Sequence, residues 1–278
     1  MVFARSFLTG RAESVYPPVS HALLAGHHTA TLAFAIAIHQ TAQYAGPILT
    51  GFLAGWIAEH YGWRNGFTLF GLLGLALSLI MACRLRDPSA IVEPHTPLFS
   101  GFAHCFRIAA VRRIGLAFAA VLFVTLGYST WAPTLFGRQF GLTLSQAGFY
   151  TALACNGAAA AQGRSRFVFQ AISLLAAAPF IVLLGTAQTL TPALGLGFFR
   201  GIYEGTIAVT LYDFVAPEHR SAAAAIVLLI ANLLAAPSAA LLGYIGDHAP
   251  INTAISALAL LFPLAAWIRF SARRLKVI

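Results

Sequence analysis

Arg200 and Glu204 stand four residues apart in an apolar run of this 278-residue chain, a spacing that puts both on one face of a helix. A guanidinium and a carboxylate so placed can do two kinds of chemistry. Arg200 can hold an organic carboxylate, and Glu204 can take up and release a proton. A charge at the centre of a membrane helix costs about 2.5–3.5 kcal/mol on insertion scales, so ionisable groups kept in such a run are candidates for function. The structural alternatives are a mutual salt bridge joining two helices, or Arg200 reaching to the membrane interface.

A second polar cluster interrupts another apolar run at His39, Gln40, Gln43 and Tyr44. His39 and Gln43 share one helix face and Gln40 and Tyr44 another, which gives a broad polar side suited to a wet cavity and to substrate or proton contact. Tyr128, Thr130 and Trp131, with Asn156, could offer a stacking surface and hydrogen bonds to a small organic solute. For Trp131 the competing reading is an interfacial belt, because Pro133 and Arg138 follow closely. Asp213, Glu218 and Arg220 read as a gating or structural charge cluster at the end of a helix pair. No metal site is expected: His27 and His28 are adjacent with no third ligand at a suitable spacing. Cys83, Cys105 and Cys155 likewise show no ligand or redox spacing and read as packing residues. Catalytic signatures such as Gly-x-Ser-x-Gly, GxxxxGK[ST] and His-Glu-x-x-His are absent, so the chain reads as no enzyme and needs no cofactor. Energy for any transport would come from an ion or solute gradient.

The elements that carry these residues are membrane spans. Hydrophobic residues make up 59% of the chain and charged residues 9%, against about 25% charged in soluble domains, so the lipid bilayer is the expected solvent. Nine apolar runs are visible, at about 7–26, 30–58, 66–83, 112–136, 145–161, 167–188, 192–214, 221–246 and 251–270, each near the length needed to cross a bilayer. The expected fold is an all-α, polytopic membrane helical bundle of about nine transmembrane helices. The seventeen basic residues are dispersed over loops, which excludes a nucleic-acid stripe and suits the positive-inside rule. Arg84, Arg86, Arg107, Arg112 and Arg113 fall in one connection and Arg269, Arg273, Arg274 and Lys276 at the C-terminus. Both would then be cytoplasmic in a cell membrane, with the N-terminus outside. Residues 87–111, with Asp87-Pro88 and Glu93-Pro94, read as a cytoplasmic linker between a three-helix bundle at 1–86 and a bundle of about six helices at 112–278.

The chain also repeats itself. Leu53-Ala-Gly-Trp-Ile-Ala-Glu-His60 returns as Leu241-Leu-Gly-Tyr-Ile-Gly-Asp-His248, with four of eight positions identical and three conservative. Gly10-Arg-Ala-Glu13 is answered by Gly201-Ile-Tyr-Glu204, His28 by His219, and Pro47 by Pro237, all about 190 residues apart. A long-period duplication in an apolar chain marks proteins built from two related halves about a pseudo-twofold axis. It makes Glu13 the counterpart of Glu204 and a candidate for proton coupling. Arg11, two residues before Glu13, does not share its face. Gly51 and Gly55 form a small-residue step for close helix approach beside the bend at Gly46-Pro47.

Five segments now carry a family resemblance: Gly10-x-x-Glu13-x-x-Tyr16-Pro17-Pro18, Gly46-Pro47-Ile-Leu-Thr-Gly51, Gly62-Trp63-Arg64, Tyr128-x-x-Trp131-x-Pro133, and Leu211-Tyr-Asp-Phe-Val-Ala-Pro217-Glu-His-Arg220. Together they resemble the major facilitator superfamily, most of all its branch that moves organic anions and sugar acids. The likeness matches that family's fourth to sixth helices and then its second six. It implies a secondary carrier, N-terminally truncated, that moves a small anionic solute by alternating access, as a proton symport. The family's Gly-x-x-x-Asp-Arg-x-Gly-Arg loop is missing, and its second-half counterpart is cut short where Ala160-Ala-Gln-Gly163 runs into Arg164-Ser-Arg166. The alternative is therefore a non-transporting remnant or a membrane assembly subunit of such a carrier.

Overall fold

The computed structural model describes residues 20, 24, 32–84, 98–156, 166–186, 189, 191–216 and 219–272, and among these every regular element is helical. The first expected span, at 7–26, with Arg11, Glu13, His27 and His28, lies outside the described residues. Helices α1 (Leu32–Tyr61) and α2 (Trp63–Arg84) are joined through Gly62, whose φ of +84° only glycine adopts without strain. After the linker region come α3 (Leu98–Arg107), α4 (Ala109–Phe140), α5 (Leu144–Asn156), α6 (Arg166–Thr186) and α7 (Thr191–Tyr212). The chain finishes with α8 (Arg220–Ala235), α9 (Ser238–His248), α10 (Ile251–Ala257) and α11 (Leu261–Ala272). Gly141, at φ +62°, ends α4 in the left-handed conformation typical of helix C-termini.

Four stretches among the described residues are long and apolar enough to cross a membrane: Trp63–Arg84, Ala109–Phe140, Ala222–His248 and Asn252–Ala272. They match the expected runs with two refinements. Pro237 withholds the N–H that would continue α8, so the 222–248 span is a bent pair, α8 and α9. The 252–272 span passes through a 3-10 turn at Leu258–Leu260. Within the segment read as a linker, an amphipathic ten-residue helix, α3, forms, with Gly101 and Cys105 buried on one side.

The chain groups into two compact units. Residues 1–43 and 67–95 make one, and residues 44–66 with 96–278 the other. In the larger unit, α4 packs along α8, α6 along α7, and α11 against both α4 and α6. Helix α4 buries Val111, Ile114, Ala117, Val121, Val124, Tyr128, Ala132 and Leu135, steps of three or four residues that trace the core-facing stripe of a helix. Hydrogen bonds show the helices alternating in direction. Arg113, at the start of α4, donates to the Ser271 carbonyl at the end of α11 (3.0 Å). Gln170, at the start of α6, donates to Thr210 at the end of α7 (2.9 Å). At the other end, Ser256 of α10 donates to the Val182 carbonyl late in α6 (3.2 Å). In the smaller unit, the α2 residues Leu69, Leu72, Leu73, Leu75, Leu77 and Leu79 are exposed around the helix, as expected of a helix whose solvent is lipid.

Candidate functional site

The middle of α7 holds the ion pair expected from sequence. Arg200 is the tenth of the helix's 22 residues, about 13 Å from its start at 1.5 Å per residue and so near the helix's midpoint. Its Nη2 donates to Glu204 Oε1 at 2.6 Å. The Arg200 side chain is 9% and the Glu204 side chain 17% exposed, so the pair is largely withdrawn from solvent. It forms within one helix, along the i,i+4 line, and spans no pair of helices. The Arg200 cation is thus balanced by a carboxylate on its own helix.

The other expected residues stand on other helices. Tyr128 is buried in the interior of the larger unit, its ring edge-on to Phe136 with centroids 6.3 Å apart. His39 is half-buried on α1. Gln40, Gln43 and Tyr44 follow on the same helix, and Asn156 closes α5, but the side chains of these four lie outside the described residues. Trp131 is half-buried: its indole Nε1 donates to the Ala239 carbonyl at 2.9 Å, and its ring lies against Gly243. It ties α4 to α9. Thr130 is exposed and bonds back to the Leu126 carbonyl (2.8 Å). Asp213 is half-buried and Arg220 exposed at the α7–α8 turn, while Glu218 lies outside the described residues.

Two polar sites escape a reading by sequence. Arg269, taken above as part of a cytoplasmic tail, is fully buried in α11. Its Nη2 donates to Gln170 Oε1, Gln170 Nε2 donates to Thr210 Oγ1, and its guanidinium lies 5.9 Å from the Tyr203 ring centre. This network binds the ends of α6, α7 and α11. An isolated glutamine in the apolar run Phe167-Val-Phe-Gln170-Ala-Ile was its available signal. The second site is Glu59, which accepts from the Ser145 N–H (2.8 Å) and Ser145 Oγ (3.2 Å). Beside it, α1 and α5 meet backbone to backbone, since a Cβ placed on Gly51 would lie 2.7 Å from the Gly148 carbonyl oxygen.

A bundle of alternating apolar helices with a buried ion pair at mid-helix, duplicated over a long period, defines a multi-pass membrane protein of the two-halved carrier architecture. The chain belongs to the Major Facilitator Superfamily, whose model matches residues 1–223. It is 24% identical over 179 residues to the "Probable galactarate/D-glucarate transporter GudP" of Bacillus subtilis (strain 168), a match that covers 55% of this chain and 39% of that protein. The match thus spans about two fifths of that relative's length. Among solved structures, the fold is similar to a bacterial homolog of the human lysosomal transporter Spinster in an inward-facing, unoccupied conformation. The TM-score is 0.68 at 18% identity, over 92% of this chain and 74% of that one. The same homolog in its occupied inward-facing conformation gives 0.63 at 16% identity, over 92% and 73%.

Proposed function

We propose that the chain works as a secondary active transporter of a small organic anion, a sugar acid or carboxylate, by proton-coupled alternating access. Its frame is a three-helix bundle at 1–86 and a six-helix bundle at 112–278 in a cell membrane, with the linker and C-terminus cytoplasmic. The observation that carries the reading is the Arg200–Glu204 pair. In a low-dielectric interior a guanidinium requires a counter-charge, and loss of the partner leaves it uncompensated. While Glu204 is ionised it fills that role at 2.6 Å. Protonation of Glu204 empties the role, and a substrate carboxylate takes it, so proton and anion enter the site together. The net charge around Arg200 is the same before and after, which is why the two bindings reinforce each other. His39, Gln40, Gln43, Tyr128 and Asn156 are assigned to substrate hydroxyl and carbonyl groups, and Glu13 to a second proton site. Galactarate and D-glucarate, the sugar acids named for the similar Bacillus subtilis protein, support the class.

The test is uptake of labelled sugar acids and monocarboxylates by cells expressing the chain, with and without a protonophore. Uptake should rise at lower external pH and collapse with the protonophore. Arg200→Ala should abolish it, and Glu204→Gln, held permanently neutral, should still bind substrate but lose protonophore sensitivity. Stable insertion without uptake of any member of the panel would refute the reading and leave the non-transporting remnant in its place.

A further inference from the structure

We propose that Glu59 and the first turn of α5 form a proton-sensitive latch that holds closed the end of the larger unit remote from α3. The proposal rests on the transporter reading above and concerns the balance between its conformations.

Connectivity locates the contact. Helix α4 runs from α3 out to Gly141, just before Ser145, and Glu59 bonds to Ser145. Both therefore lie at the end of the larger unit far from α3. They also come from opposite sides of the linker, so the contact joins segments of the two bundles proposed above. Alternating access requires such a contact to part when that end opens.

The chemistry of the contact is that of a cap. The first N–H groups of a helix lack partners within it and carry partial positive charge. Glu59 Oε1 takes the Ser145 N–H at 2.8 Å, both carboxylate oxygens stand 3.2 Å from Ser145 Oγ, and Thr143 Oγ1 lies 2.9 Å from that hydroxyl. Backbone fit makes the cap possible. A Cβ on Gly55 would collide with Ser145 Cα, and one on Gly148 with the Gly51 carbonyl, so only glycines let α1 approach closely enough for Glu59 to reach. Ser145 is buried while Glu59 is exposed, which leaves the acid open to protons from the solution it faces.

The direction of the pH effect follows. Hydrogen bonds from Ser145, its backbone N–H foremost, hold the Glu59 carboxyl below its ordinary value. With the contact open the group returns to its ordinary value. The open form thus binds the proton more tightly. The latch is fully engaged above the ordinary value and is lost as pH falls through the lowered one. Other charged or titratable groups nearby are His60, Tyr61 and Arg64 on the Glu59 side and Arg138 at the end of α4. His60 is bonded to the Trp56 carbonyl (2.9 Å), and Arg64 sits over the Trp63 ring (4.3 Å). On α5 they are Tyr150 and Cys155, the nearer about 7 Å further along the helix.

The experiment measures a distance. Arg64→Cys and Arg138→Cys carry spin labels in full-length protein in lipid nanodiscs, with Cys83, Cys105 and Cys155 replaced by alanine, and the label separation is read at pH 7, 5.5 and 4. A short separation should dominate at pH 7, and the long-separation fraction should grow several-fold by pH 4. Glu59→Gln keeps an acceptor but cannot titrate, so its distribution should not change with pH. Ser145→Pro removes the N–H and the hydroxyl at a first-turn position that tolerates proline, and it should also abolish the response while leaving Glu59 charged. Helical content by circular dichroism confirms that both variants are folded. A pH response in Glu59→Gln equal to that of the wild type, or no response in the wild type, overturns the proposal. Loss of uptake with an intact pH-dependent separation would instead count against the transporter reading alone.

Discussion

Replacing Gln170 by leucine should destabilise the protein more than replacing Arg269 by methionine, although arginine is the larger and the charged residue. Both side chains are fully buried, and Gln170 accepts from Arg269 while donating to Thr210. Leucine at 170 strips the buried cation of an acceptor, about 1.5–3 kcal/mol for a hydrogen bond to a charged group, and removes the bond to Thr210, about 1 kcal/mol more. The sum is about 2.5–4 kcal/mol. Methionine at 269 removes the charge together with its desolvation cost and keeps much of the apolar stem, leaving one amide oxygen short of a donor, a net loss of about 1 kcal/mol. In the double variant no cation remains to be stranded, so it should lose about 1–2 kcal/mol and the cycle should show a coupling of about 3 kcal/mol. Reversible unfolding in mixed micelles, followed by tryptophan fluorescence, measures all four corners. Additivity within about 0.5 kcal/mol, or a larger loss for Arg269→Met than for Gln170→Leu, would refute the assignment of this network as the tie between α6, α7 and α11.

Glycine substitutions should divide by their surroundings. Gly148→Ala forces α1 and α5 apart and should reduce uptake and shift the labelled distance outward, whereas Gly71→Ala, with nothing within 4 Å, should raise the melting temperature by the equivalent of about 0.5–1 kcal/mol. Trp131→Phe loses its bond to the Ala239 carbonyl and should cost about 1 kcal/mol, read by the same unfolding assay. In a Cys155→Ala background, a maleimide should modify exposed Cys83 at once and buried Cys105 slowly. Burial pushes the Cys105 thiol up, so less of it is thiolate at neutral pH, and its rate should climb from pH 7 to 9. Equal rates at the two cysteines would contradict the docking of α3.

The spans were legible because bilayer thickness imposes a length that apolar composition alone reveals, as at α2 and α4. The Arg200–Glu204 pair was legible for a related reason: i,i+4 geometry is set inside one helix, whatever surrounds it. Arg269 was misread because a cation near a helix end has the same sequence signature whether it faces headgroups or a buried glutamine 99 residues away. Glu59 escaped for the same cause. Its partner is a backbone N–H, which has no letter in the sequence, and the glycine step at Gly51 and Gly55 announced a close approach without naming Gly148. Helix α3 was hidden by the prolines on its N-terminal side, which drew the whole connection into a linker.

The duplication shows where such inference stops. His60 Nδ1 bonds to the Trp56 carbonyl at 2.9 Å and His248 Nδ1 to the Tyr244 carbonyl at 2.8 Å, with ring centroids 4.9 and 4.6 Å apart. These contacts repeat because the repeated residues make them on their own. Tertiary contacts do not repeat: Gly55 meets the backbone of α5, while its counterpart Gly243 meets the Trp131 ring, and Pro47 sits inside unbroken α1 while Pro237 separates α8 from α9. A role therefore transfers between the halves only where its partner lies within the repeated segment. Glu204 has such a partner in Arg200, four residues earlier; Glu13, which lies outside the described residues, has Arg11 only two residues earlier, off its helix face. Glu13→Gln should accordingly change protonophore sensitivity less than Glu204→Gln does, and equal effects would mean that an arginine from another helix has taken the place of Arg200.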